Sequence, residues 1–239
     1  MNPVARGDLA ARLGSPRGLR LLTIYLTICS AFLFLSLPPE IGRFDLRDAN
    51  LLLAVLAVQV VVVTYLSSAV SCGELSVEGE KGLPDLALSV FPASVIAAGK
   101  AISSAGYAFY LLAVATPVFV LSAALRGAPL APLALASVLT FSVSTAAGIW
   151  GAYFAGRFTS DFTRSFVHWG FLALLLGATA LLPSEWWMAN PVRTMDTLVR
   201  EGWTPWLAAP VAGYLCLSLA GVKLVANYIH HARSHEGSG

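Results

Sequence analysis

Six stretches of the chain run apolar almost without interruption, near residues 21–37, 51–70, 94–121, 130–155, 166–182 and 206–228. A helix needs about 20 such residues to cross a hydrocarbon core of about 30 Å, and each stretch approaches or exceeds that length. A barrel strand would alternate apolar and polar positions over about ten residues, and these stretches do not. The expected fold is therefore all-α, with six transmembrane helices and both termini on one side.

Polar positions mark the connections, and two of these are too long and too structured for simple turns: Ser71 to about Ser94, and Pro183 to Pro205. In the first, Val77–Leu88 combines a charged start at Glu78, Glu80 and Lys81, a proline at a plausible first helical turn and an apolar stripe at Leu83, Leu86 and Leu88. That pattern predicts a short amphipathic helix against the membrane. Asp8–Leu13 predicts a second interfacial helix, ended by Gly14, Ser15 and Pro16.

Charge then orients the bundle. Arg6, Arg12, Arg17, Arg20, Lys81, Lys100, Arg157, Arg164, Lys223 and Arg233 fall on the side of the termini; Arg43, Arg47, Arg126, Arg193 and Arg200 fall on the other. By the positive-inside rule both termini face the cytoplasm. Trp186, Trp187, Trp203 and Trp206 gather around the fifth loop, where indoles suit the outer headgroup level.

Composition agrees with a membrane domain and removes other classes. Of 239 residues, 57% are apolar and only 12% charged, and the mean hydropathy is +0.73, against about 25% charged residues in soluble domains. A net charge of +2 with no basic stripe among aromatics excludes the footprint of a nucleic-acid binder. Cys29, Cys72 and Cys216 are too scattered for a disulfide framework or a CxxC metal site and read as inert thiols. His168 reads as interfacial; His230, His231 and His235 have an H-H-x-x-x-H spacing that could bind a metal on one helix face, but a solvated tail is the favoured reading and no metal site is expected. No GxxxxGK[ST] loop, HExxH or GxSxG occurs, and the helix centres lack the ionisable residues of a proton relay. The chain reads as non-catalytic, a hydrophobic pathway driven by something else.

Inside the helices, Ala147, Gly151 and Ala155, and likewise Gly148, Ala152 and Gly156, recur every four residues and predict two small faces for close packing. Pro117 predicts a kink in the third span. Gln59 in the second span, with Tyr107, Tyr110 and Thr116 in the third, are candidates for lining a pathway for an amphipathic molecule.

Glu78, Glu80, Gly82, Asp85, Leu86, Leu88 and Ser89, followed by Gly99-Lys100, resemble the cytoplasmic signature of ABC-type 2 transporter permeases. Asp8-Leu9 with Ser15-Pro16 is similar to the first-helix approach of the gliding-motility and copper-enzyme-maturation branch, and Asn190-Pro191 resembles a common N-P step before the last helix. Leu83 and Pro84 depart from the Thr-Leu that is usual, and Val90-Phe91-Pro92 aligns only with a one-residue shift. The resemblance covers nearly the whole chain. It implies a segment 1–19 that is interfacial, a permease domain over 20–229 and a cytoplasmic tail over 230–239.

The resemblance further implies a multi-pass subunit of a bacterial inner-membrane exporter, paired with a second permease copy, identical or sister, and with an ATP-binding subunit that carries ATP and Mg. This chain would hold no cofactor. Glu78, Glu80, Lys81, Gly82, Asp85, Leu86 and Leu88 would form the coupling helix that docks on that subunit. A haem-exporter-like permease or a non-transporting membrane scaffold are the rival readings. An intramembrane enzyme would need His, Asp or Glu clustered at one depth, which the sequence does not display.

Overall fold

Asn2 starts the first helix in the way its sequence dictates: its side-chain oxygen accepts from the Val4 and Ala5 amides, and Pro3 occupies the first turn, where no amide is needed. This helix, α1 (Pro3–Gly14), ends at Ser15, whose hydroxyl accepts from the Gly18 amide and so helps to start α2 (Pro16–Leu35). There follow α3 (Ala49–Cys72), α4 (Leu83–Ala87), α5 (Ala93–Arg126), α6 (Leu130–Arg157), α7 (Asp161–Leu176), α8 (Pro191–Glu201), a 3-10 turn at Pro205–Leu207 and α9 (Ala208–Glu236). The structure, a computed structural model, describes residues 2–35, 49–75, 83–87, 89–126, 130–177, 189–202 and 205–236. Among these residues there is no strand.

Among the described residues, four helical stretches are long and apolar enough to cross a membrane: Leu53–Cys72, Ala93–Leu121, Leu130–Arg157 and Pro205–Ser234. They correspond to four of the six apolar stretches of the sequence. The other two fall on α2 and on α7, which has 16 described residues.

α6 is the central helix, touching α3, α5, α7, α8 and α9. Its small residues make this work. A methyl group on Gly151 would sit 2.6 Å from the Ser68 carbonyl oxygen of α3, and one on Gly148 would sit 2.9 Å from Ser67 and Ser104 side-chain atoms. Backbones this close bring hydroxyls into reach, and Thr64 and Ser144 are hydrogen-bonded at 3.0 Å across the α3/α6 seam. Trp150 ties α6 to α9 by donating to the Leu217 carbonyl at 3.0 Å.

The bundle has two ends of different character. One gathers α1, α4, the start of α5 and the last turns of α3, α6 and α9; Val4, Leu83, Leu86, Ile96, Val225 and Ile229 form a single buried cluster there. The other holds α8, packed on α3 and α6. Asn190 caps α8 by accepting from the Val192 and Arg193 amides and fixes it to α7 by donating to the Leu176 carbonyl at 2.9 Å. Pro191, Thr194, Met195 and Leu198 form its buried stripe.

Three features add to the sequence expectations. α1 turns Asp8 and Arg12 inward, both buried, where Lys100 of α5 pairs with Asp8 and Ser71 of α3 accepts from Arg12. α7 begins at Asp161, before the apolar stretch, and its His168 is fully buried. The last helix runs through Glu236, so residues 230–236 extend α9; Ile229 is buried and Arg233 is anchored, which holds those turns in place.

Candidate functional site

The predicted coupling segment contributes α4, a single short turn of helix. Leu83 and Leu86 are buried in the cluster with Val4, Ile96, Val225 and Ile229, while Asp85 points outward and is exposed. The chain then turns at Ser89, whose amide and hydroxyl both donate to the Leu86 carbonyl, at 3.0 and 2.6 Å. Arg233 of α9 clasps that turn by donating to the carbonyls of Ser89 at 2.7 Å and Phe91 at 2.6 Å. Glu78, Glu80, Lys81, Gly82 and Leu88 lie outside the described residues.

Beside α4, α1 lies along the first turns of α5 in parallel register. Asn2 donates to the Val95 carbonyl at 2.7 Å, and a methyl on Gly99 would meet Val4 Cβ at 2.6 Å, so only glycine lets the two helices approach here. One residue on, Lys100 Nζ lies 2.8 Å from Asp8 Oδ2, with each side chain 5% exposed. Ser103 supplies a weaker contact to Asp8 at 3.4 Å. A turn further, Arg12 donates to Ser71 Oγ of α3 at 3.1 Å, and its guanidinium carbon is 5.7 Å from the centre of the Tyr107 ring. Ser71 in turn is 3.3 Å from Ser104. Thus the Gly99-Lys100 and Asp8-Leu9 steps, read separately in the sequence, meet in one buried polar seam.

The four pathway candidates do not share one environment. Tyr107 belongs to the Arg12 seam. Gln59 is buried in α3, and its Oε1 has no hydrogen-bond partner among the described residues. Tyr110 is half-buried; Thr116 is exposed, and its hydroxyl donates back to Leu112 of its own helix at 2.8 Å. None of the four lines the apolar cleft of about 270 Å³ at the opposite end, which Leu139, Thr194, Leu198, Leu207 and Val211 help to form.

A cluster the sequence did not disclose sits where α3 ends. Gly73, at φ 83°, adopts a left-handed conformation that favours glycine and turns the chain back, with its amide donating to Val70 and that of Leu75 to Ala69. The turn brings Glu74 Oε1 to 3.0 Å from Nδ1 of the fully buried His168. Cys72 joins them: one ligating atom from each of the three residues lies within 4.8 Å of the others. Arg164, paired with Asp161 at 2.6 Å, borders the group. This grouping of a histidine, a carboxylate and a thiol is not foreseen in the sequence, and His168 is buried within the protein. The signal was weak because Glu74 sits in a connection and His168 is 94 positions away.

No family model, curated protein or solved structure matches the chain.

Proposed function

We propose that this chain is the permease subunit of an ATP-driven exporter, with six spans, both termini in the cytoplasm and α4 as part of the coupling element. The observation that carries the reading is the mounting of α4: its leucines are sunk in the bundle and its carboxylate is presented outward. A segment that transmits force needs both. Anchors keep the motion of a docked partner from being absorbed locally, and outward charges pair across the interface. Leu83 and Leu86 share their cluster with α1, α5 and α9, so a push on α4 is delivered to two of the helices long enough to cross the membrane.

Charge supports the same orientation. The α4 end carries Lys100, Arg157, Arg164 and Arg233, and the end bearing α8 carries Arg193 and Arg200. The buried Asp8–Lys100 pair adds rigidity by fixing α1 to α5. In this reading α1 is the interfacial helix, the partner supplies ATP hydrolysis, and a second permease copy completes the pathway in the inner membrane.

The test is a chain with Glu78, Glu80 and Asp85 all replaced by Ala, purified with its native partners. Exposed ion pairs contribute only about 0 to 1 kcal/mol each, so all three are removed together. The variant should fold and reach the membrane while losing both co-purifying ATPase activity and transport. Retention of both at the level of the unmodified chain would sink the coupling assignment. Repeated recovery of the intact chain with only non-ATPase subunits would move the reading to a membrane scaffold.

A further inference from the structure

We propose that Cys72, Glu74 and His168 form a binding site for a divalent transition metal of the zinc type. Three observations converge. The residues offer sulfur, carboxylate oxygen and imidazole nitrogen, the donor set that zinc and its neighbours favour. The donors are already gathered: His168 Nδ1 and Glu74 Oε1 are 3.0 Å apart, near the roughly 3.3 Å edge that two bonds of about 2.0 to 2.1 Å span in a tetrahedron. The sulfur, within 4.8 Å of the other two donors, has to close by at most about 1.2 Å to reach a tetrahedral edge, within reach of a side-chain rotation.

The third observation is the state of the histidine. His168 is fully buried, and neither ring nitrogen completes a hydrogen bond among the described residues; its contact with Glu74 is close but not directed as a hydrogen bond. A buried imidazole left this way costs free energy, and a metal shared with Glu74 and Cys72 removes the deficit. Charge also balances. A thiolate and a carboxylate with a neutral imidazole cancel a divalent cation, and the neighbouring Arg164 is offset by Asp161. Binding releases the Cys72 proton to solvent, which reaches the site through the partly exposed Glu74.

Three protein ligands leave a fourth position for water. The site pins the turn at Gly73 to α7 just before the chain enters the segment bearing Glu78 and Glu80. It does not depend on the exporter reading, because its geometry is complete without any partner.

The probe is Co2+, titrated into the detergent-purified full chain in which His230, His231 and His235 are replaced by Gln to remove the only other histidines. One Co2+ per chain should bind with a near-ultraviolet thiolate-to-cobalt charge-transfer band. Cys72→Ser should abolish that band, while Cys29→Ser and Cys216→Ser leave it unchanged. Glu74→Gln and His168→Gln should weaken binding by more than the roughly 10- to 100-fold that loss of an outer-shell partner costs. If His168→Gln does not fold, the near-isosteric Cys72→Ser and Glu74→Gln decide. Absence of the band in the otherwise intact chain, or its survival in Cys72→Ser, overturns the site and leaves Glu74 and His168 as a polar contact between the turn after α3 and α7.

Discussion

The two ends of this bundle are held by different physics. At the α4 end, contacts join residues far apart in sequence and many of them are buried and charged: Asp8 with Lys100, Arg12 with Ser71, Glu74 with His168. At the α8 end the cleft is lined mostly by apolar side chains, the buried polar contacts of Asn190 are uncharged, and the charged pair Asp196–Arg200 spans a single helical turn toward the surface. The contrast teaches where rigidity is concentrated. A charge removed from water has to be answered by a fixed partner, so the α4 end can tolerate few arrangements of its helices. The α8 end, lined by interchangeable apolar side chains, can tolerate more.

The sharpest way to break the comparison is to remove one member of the buried pair. Lys100→Ala or Asp8→Ala leaves an uncompensated charge among packed helices and should cost about 3 to 5 kcal/mol. Thermal unfolding of the purified chain in detergent would register this as a large fall in midpoint. The double change Asp8→Leu with Lys100→Met should cost less than either single loss, since no charge is then left alone. If each single variant melts with the unmodified protein, the α4 end does not owe its order to this pair.

A smaller effect should separate the two ends by packing alone. Gly151→Val drives side-chain atoms into the Ser68 carbonyl and should destabilise by about 1 to 3 kcal/mol. Gly213→Ala, in α9, meets nothing within 4 Å, and should be neutral or slightly stabilising because alanine favours helix over glycine by about 0.8 to 1.0 kcal/mol. Equal losses at the two positions would contradict the packing account of α6.

Much of the scaffold was legible in the sequence because it follows from periodicity. The apolar stretches became helices, and the four-residue spacing of Gly148, Gly151 and their neighbours foretold the close seam of α6. Leu83 and Leu86 were read as one apolar stripe, and both are buried. The physical job of Asn190-Pro191, an N-cap with proline in the first turn, is open to reading from Met195 and Leu198, the apolar positions that follow at helical spacing. What stayed hidden depends on register between distant helices. Lys100 and Asp8 each looked like a charge at a membrane boundary, and nothing local says that Gly99 lets α1 slide close enough to join them. Nothing local to His168 says that its ring faces Glu74 and Cys72 at the end of α3.

The mildest prediction concerns the charged pair at the α8 end. Arg200 donates to Asp196 one turn away, and the arginine side chain is about half exposed. Solvent screens such a pair, and ordering two side chains offsets part of its attraction, so pairs of this kind contribute about 0.3 to 0.5 kcal/mol. Replacing both by Ala should therefore shift the unfolding midpoint slightly, and added salt should shrink that difference further. The same salt should hardly move the penalty of Lys100→Ala, because a buried charge is poorly screened. A salt series on the two variants side by side thus reads the difference between the ends directly. If both penalties fell together with salt, the Asp8–Lys100 pair would be solvated and the α4 end would be no more constrained than the α8 end.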